Sequence, residues 1–242
     1  MMRRDAQLLA AEIARAIADP AQYERALPHV TAPEHVGSWA EGGNASPRRR
    51  WQDQVIEDEI PVGASVLDLG CGDGALLARL VAHKHIRGQG VELDPLAVER
   101  CIAAGVPVVQ ANLDEGIKGF GEGSFDYAIL EETVQTLHRP LEVLAGMLRV
   151  ARHALVSFPN FGFWRVRLDL ALRGRMPITG RLPFGWHDTP NIHLLTLQDF
   201  LDWTADAGVT VVKGFALSCD GVQPLRADDQ LFAEEALLVL SR

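Results

Sequence analysis

Apolar positions change their spacing along this chain. Near the start, Leu9, Ile13 and Ile17 recur every four residues, which places them on one stripe of a helix that ends before Pro20. Such a stripe docks on its own domain or on a partner. Across residues 31–50 the periodicity dissolves into Gly, Pro, Ser and Asn and closes on Arg48, Arg49 and Arg50, which predicts a linker whose arginines form a solvated loop with no assigned role. From Trp51 onward, short aliphatic or β-branched runs at 65–69, 89–93, 107–110, 127–130 and 154–157 alternate with helical patterns at 75–83, 96–104 and 141–149. That alternation predicts a mostly parallel sheet with helices on both faces, each crossover a right-handed βαβ unit. Gly105 stands where a glycine cap belongs. Thr196 and Asp199 bracket a capping box whose helix runs to about Ala207 and closes at Gly208, before two last strands near 209–215 and 236–240. The expected organisation is an N-terminal helical extension and linker over 1–50, followed by one α/β domain over 51–242.

Composition narrows the function. A formal net charge of -9 opposes broad attachment to nucleic acid or to an anionic membrane, since both need a surplus of Lys and Arg on one face. Cys71, Cys101 and Cys219 are far apart, odd in number and never in a Cys-x-x-Cys pair, so neither a disulfide framework nor a zinc site is expected, and a reducing compartment fits. Charged residues break up the first 28 positions, and no apolar run approaches spanning length, so the expectation is a cytoplasmic protein that does not enter a membrane. His187 and His193 flank Asp188 without further ligands, and no metal is expected.

The densest chemical signal is Val66-Leu67-Asp68-Leu69-Gly70-Cys71-Gly72-Asp73-Gly74, followed at once by the helical run from Ala75. A buried strand leads into glycines that dispense with Cβ atoms and then into a helix, so a ligand can approach the main chain at the carboxyl edge of the sheet. Glycine turns also open dinucleotide sites, which keeps a nicotinamide-dependent dehydrogenase as an alternative, and a turn made only for tight packing is another. The Gly-x-Gly-x-Gly spacing and Asp68 inside the strand resemble motif I of class I methyltransferases instead. That resemblance implies a Rossmann-like fold with a seven-stranded sheet and a site for S-adenosylmethionine or S-adenosylhomocysteine. Its cofactor-binding positions here would be Asp68, Gly70, Cys71, Gly72, Gly74, Glu92, Leu93, Asn112 and Leu113.

Glu92 ends the second strand, where a carboxylate can accept from both ribose hydroxyls. Asp94 before Pro95 reads better as a helix N-cap than as a second ribose ligand. Asn112 stands where an acidic residue usually lies near the adenine; its amide can serve the base, with Asp114 as a compensating group, or it can be a turn former. Residues 125–131 resemble motif IV, whose end faces the transferable methyl group. Glu131 and Glu132 are therefore candidates for the substrate side, or ordinary solvated carboxylates.

Four further passages carry a more specific resemblance: Val156-Ser157-Phe158-Pro159-Asn160-Phe161-Gly162, Trp164-Arg165-Val166-Arg167-Leu168, Gly174-Arg175-Met176-Pro177 and Asp188-Thr189-Pro190-Asn191-Ile192-His193-Leu194. Together they resemble the methionine biosynthesis protein MetW family over about three quarters of the chain. The resemblance implies a methyltransferase-like protein acting beside a homoserine O-acyltransferase, with no firmly established methyl acceptor. Phe163 departs from an expected histidine and His187 from an expected tyrosine, and the first fifty residues have no counterpart.

Residues 139–181 hold eight arginines against Glu142 and Asp169, a cluster that can steer an acidic partner or form a solvated helix face. The aromatics Phe158, Phe161, Phe163, Trp164, Phe184 and Trp186 predict a helical and aromatic insert after the fifth strand, either roofing the ligand edge or forming an ordinary core. Two functions follow: a cofactor-binding accessory protein, or a methyltransferase for a small molecule with Glu131 and His187 orienting or deprotonating the acceptor.

Overall fold

The structure, a computed structural model, describes residues 4–18 and 50–242. The expected linker, with Arg48 and Arg49, lies outside the described residues; Arg50 lies inside them. Five strands run parallel: β1 (Ser65–Leu69), β2 (Arg87–Glu92), β3 (Val108–Gln110), β4 (Phe125–Glu131) and β5 (Ala151–Pro159). Three more, β6 (Thr210–Ser218), β7 (Gly221–Pro224) and β8 (Glu235–Ser241), join antiparallel, and the sheet order is β3-β2-β1-β4-β5-β8-β6-β7. The sheet thus has one strand more than expected. The addition is β7, a four-residue hairpin partner of β6 at the sheet edge, too short to leave an alternating hydrophobic pattern.

Successive strand residues point to opposite faces, and the core divides accordingly. Leu67, Leu69, Ala128, Leu130, Ala154, Val156, Leu238 and Leu240 face α5 (Pro140–Val150) and α7 (Leu197–Asp206). Val66, Ile129, Leu155, Leu237 and Val239 face α2 (Trp51–Glu59), α3 (Ala75–Lys84) and α4 (Pro95–Ala103). The same parity turns Asp68, Glu131, Ser157 and Glu235 toward the α2 side. Helix α2 left little periodic signal, because its buried positions include Gln52, Asp53 and Glu57.

Local caps follow sequence chemistry. Asp94 caps α4 by accepting from the Leu96 N–H, with Pro95 in the first turn, as expected. Thr196 and Asp199 form the capping box of α7. Gly105 and Gly208 take positive φ just beyond α4 and α7. Among the described residues, no helix is long and apolar enough to cross a membrane.

The insert leaves β5 at Asn160 and returns at α7. Its helix α6 (Trp164–Arg173) contributes Trp164 and Val166 to a separate core with Phe163, Leu182 and Phe232. Phe232 comes from the single turn α8 (Asp229–Phe232), and Ala6, Leu8 and Leu9 of α1 (Arg4–Ala18) pack on the same core. Helix α1 therefore docks on its own chain through Leu9 and its neighbours, while Ile13 of the expected stripe is exposed.

Asn160 fastens the insert. Its side chain is fully used: Oδ1 accepts from Gly162 N–H at 2.9 Å and Leu197 N–H at 3.0 Å, while Nδ2 donates to the carbonyls of Gln230 at 3.2 Å and Ala233 at 2.9 Å. Truncation would strand these groups in a site that is 1% exposed. Asn160→Ala is expected to cost about 3 kcal/mol in urea unfolding followed by circular dichroism. An unchanged midpoint would show that the insert is held by other contacts.

Candidate functional site

The sheet order reverses between β1 and β4, and in open α/β sheets the crevice beyond that reversal receives ligands. The glycine turn lies there. The N–H groups of Gly70 and Cys71 bond the Val91 carbonyl at 2.8 and 3.2 Å, tying the turn to β2. Gly74 caps α3 in the left-handed region at φ 78°, and a Cβ there would approach Cys101 Sγ to 3.0 Å. Above Gly72, also at positive φ, the space is open. The Cys71 thiol points beneath the turn, 3.8 Å from Cys101 Sγ, and burial pushes its pKa up, so Cys71 offers the crevice its main chain.

Glu92 stands at the same edge. One oxygen accepts from Gly72 N–H at 2.8 Å, the other from Leu93 N–H at 2.7 Å and Asp94 N–H at 2.9 Å. The carboxylate is thereby aimed along the turn, and a diol would compete for lone pairs now shared with these amides. Leu93 beside it is 58% exposed and offers an apolar surface to a ring. Asn112 Oδ1 accepts from Asp114 N–H at 3.0 Å and Asp114 accepts from Arg139 N–H at 2.8 Å, so both are engaged as turn and cap formers, with the Asn112 amide nitrogen left for a base. The Leu113 side chain lies in the core, which leaves its main chain at the edge.

On the other side of β1 the site becomes ionic. Asp68 is 3% exposed, and desolvation raises its pKa to about 7 against the opposing pull of Arg50. The Glu131 side chain, 6% exposed, is bonded by Arg50 at 3.0 Å; burial nevertheless raises its pKa to about 8. Glu235, raised by burial to about 8, accepts from Trp51 Nε1 and from Gln52 Nε2 at 3.2 Å, and Arg181 of the insert lies 3.6 Å away. Gln52 Nε2 also donates to Glu132 at 2.8 Å. Arg50 further lies 3.8 Å from Asp53 and 3.9 Å from Glu132, while Arg79 bridges Asp53 at 3.3 Å and Glu57 at 3.2 Å. Burial works against the Arg50 charge, but the carboxylates around it, Glu131 foremost, raise its pKa overall.

Sequence reasoning reached Asp68, Glu131 and Glu132 in this half of the site but not the groups that answer them. Arg50, read there as part of a solvated loop, instead reaches 81 positions along the chain to Glu131. Gln52, Asp53, Arg181 and Glu235 were not singled out either. The only available signal was in α2, where Gln52 shares a four-residue spacing with Ile56 and Ile60, all three at most 1% exposed.

The insert walls the β4 side. The main-chain N–H groups of Ile192 and His193 bond the Gln135 carbonyl at 2.9 and 3.0 Å, joining its return arm to the loop after Glu131. His187 is exposed on this insert with its ring against Trp186, and among the described residues no hydrogen bond or ion pair joins it to Glu131. Phe158, Phe163 and Trp164 are core residues, whereas Trp186 is 80% exposed. The arginine cluster is dispersed rather than a single patch: Arg149 holds the carbonyls of Phe120 and Ile117, Arg167 that of Gly162, and Arg181 faces Glu235.

Comparison with known proteins fits these features. A family model described as "Methionine biosynthesis protein MetW" matches residues 50–240. A bifunctional methionine biosynthesis protein MetXA/MetW from Rhodopirellula baltica is 34% identical over 201 residues, which are 78% of this chain and 32% of that one. The chain therefore spans about a third of that relative's length. Among solved structures, an S-adenosylmethionine-dependent methyltransferase from Thermotoga maritima, described as a possible histamine N-methyltransferase, aligns with TM-score 0.57 at 16% identity, covering 78% of this chain and 86% of that one. One from Mesorhizobium loti gives TM-score 0.57 at 18% identity, covering 78% and 96%. The fold is of the class I methyltransferase type, as the glycine turn led one to expect.

The buried carboxyls have a consequence for stability. Asp68, Glu131 and Glu235 hold protons when folded in a pH range where the unfolded chain, with carboxyls near 4, has released them. Their contribution is thus present at low pH and is lost as pH rises toward their folded values. Denaturant midpoints are expected to fall between about pH 5 and pH 8, and Asp68→Asn to flatten that decline and raise the midpoint at pH 8. A parallel decline in parent and variant would exclude Asp68 as a source.

Proposed function

The chain belongs to the MetW family of methionine biosynthesis proteins, and from that premise we propose that it binds S-adenosylmethionine or S-adenosylhomocysteine and serves a homoserine O-acyltransferase as an accessory protein. The observation carrying this reading is the Rhodopirellula baltica relative, whose matching segment is part of a longer MetXA/MetW chain. Joining two units in one chain keeps them at high effective concentration, which benefits partners that work together. A nucleoside derived from methionine that favours one partner-bound conformation would report the state of the pathway to its acyltransferase.

Within this reading Glu92 takes the ribose, Leu93 and the Asn112 amide receive the adenine, and the main chain at Gly70, Cys71, Gly72 and Gly74 admits the nucleoside. Leu113 contributes its main chain. Asp68 and Glu131 lie toward the other end of the ligand.

A second reading, turnover of a small methyl acceptor, is favoured by one observation. The Glu131 carboxyl, raised to about 8, sits in the range useful to a general base at the end of β4. His187 on the insert would then orient the acceptor, and alignment of acceptor and methyl would supply much of the catalysis.

Reconstitution separates the readings. Acyltransferase rates are expected to change on adding this chain and to change again with nucleoside. Glu92→Ala, which loses two charge-assisted hydrogen bonds, is expected to weaken nucleoside binding about a hundredfold and to abolish the second change. Acyltransferase rates indifferent to the chain would overturn the accessory reading, while demethylated nucleoside accumulating with extract metabolites would install the second.

A further inference from the structure

Six carboxylates meet around the first turns of α2, and three guanidinium groups answer them. Asp53 and Glu57 come from α2 itself, Asp68 from β1, Glu131 and Glu132 from the end of β4, and Glu235 from β8; the cations are Arg50, Arg79 and Arg181. His83 of α3 adds a contact to Glu57 at 2.9 Å, on the far side of Arg79. Among the described residues, carboxyl groups outnumber guanidinium groups where β1 and β4 part.

An independent observation marks the same place as incomplete. The Gln52 side chain is fully buried, and its Nε2 must face the carboxylates of Glu132 and Glu235, because the opposite orientation would set oxygen against oxygen. Among the described residues its Oε1 consequently has no hydrogen-bond partner, and neither does the buried Oε1 of Glu131. Orphaned acceptors in such a setting cost stability unless a donor arrives. Among the described residues no three acidic, histidine or cysteine groups converge as metal ligands would.

Position identifies the kind of cation. Glu92 on β2 and Glu131 on β4 flank β1, two strand spacings or roughly 10 Å apart. A nucleoside gripped at its ribose by Glu92 projects its 5′ substituent across the glycine turn toward this charge. Resting on the nucleoside reading above, we infer that the cluster of Asp68, Glu131, Glu132 and Glu235 selects a 5′ substituent carrying a permanent positive charge, so that the chain discriminates sulfonium from thioether and responds to S-adenosylmethionine rather than to its demethylated product. The ammonium that both nucleosides carry meets the orphaned acceptors in either case, and the excess negative charge discriminates through the sulfonium alone.

Burial raises the Asp68, Glu131 and Glu235 carboxyls toward neutrality, and their acidic neighbours add to the rise against the pull of Arg50 and Arg181. An arriving cation would release protons as these groups ionise. Selectivity accordingly strengthens as pH rises through 7 to 8, and weakens at pH 6, where Asp68, Glu131 and Glu235 are largely neutral.

Isothermal titration of the full chain with S-adenosylmethionine, S-adenosylhomocysteine and sinefungin, whose protonated amine stands in place of the sulfonium, tests this directly. At pH 8 the two ligands with the additional cation are expected to bind at least about tenfold more tightly than the thioether, with greater proton release than the thioether gives. Glu131→Gln is expected to shrink the ratio to about threefold or less, and a parent-like denaturant midpoint at pH 6 certifies that the variant is folded. Equal affinity for all three ligands would overturn the charge selection and leave the nucleoside reading standing. No binding of any of them would overturn both.

Discussion

Among the described residues, fewer cations than carboxyl groups gather beneath α2, and the rest of the site is arranged around that imbalance. Strand parity makes it unavoidable. Asp68, Glu131 and Glu235 share a face with Val66, Ile129 and Leu237, so turning the acids away would require slipping a strand by one residue and exposing half the core. Well-packed apolar residues at these positions would be at least as stable as incompletely paired ions. Retaining the charge against that alternative marks the edge as a place for binding.

What the sequence disclosed and what it hid divide along physical lines. The glycine turn was legible because its conformation depends on local residue type: positive φ at Gly70, Gly72 and Gly74 needs no distant partner. Strands β1, β4 and β5 were legible because both of their faces are covered along most of their length, so they read as aliphatic runs. Helix α2 was hidden, since three of its five buried residues are polar and a hydrophobic period fails where Gln52, Asp53 and Glu57 point inward. Arg50 was hidden for a different reason, because only the folded chain brings it to Glu131, and three adjacent arginines after a glycine-rich stretch look like a surface loop.

The passages that carried the family resemblance prove largely structural. Ser157 helps hold the turn after β4 by accepting from the Glu132 N–H, and Glu132 sits there at φ 48°, an uncommon conformation for a residue with a side chain. Phe158 fills the core against Phe200, and Asn160 clamps both ends of the insert. Gly162 is required by close approach, since a Cβ would come within 2.9 Å of Asn160 Oδ1 and 3.1 Å of the Gln230 carbonyl. Phe163, where a histidine was expected, lies in the insert's own core with Trp164. These residues build the wall beside the charged edge rather than the chemistry at it.

That wall bears on which function the site suits. Methyl transfer by in-line displacement needs an acceptor behind the sulfonium, on an unobstructed path. Here the β4 side holds Arg50 on Glu131, Arg181 near Glu235, and the insert arm bonded to the Gln135 carbonyl. An acceptor would have to displace an ion pair whose partner carboxylate would be left buried and unpaired, a costly exchange. On the proposed reading a bound nucleoside needs no such exchange, since it brings its own cation to the carboxylates. Arg50 precedes α2 directly and Arg181 belongs to the insert, so any change of charge in the crevice is felt by two segments at once. Transmitting the presence of a ligand to an outer surface asks less of this arrangement than turning the ligand over.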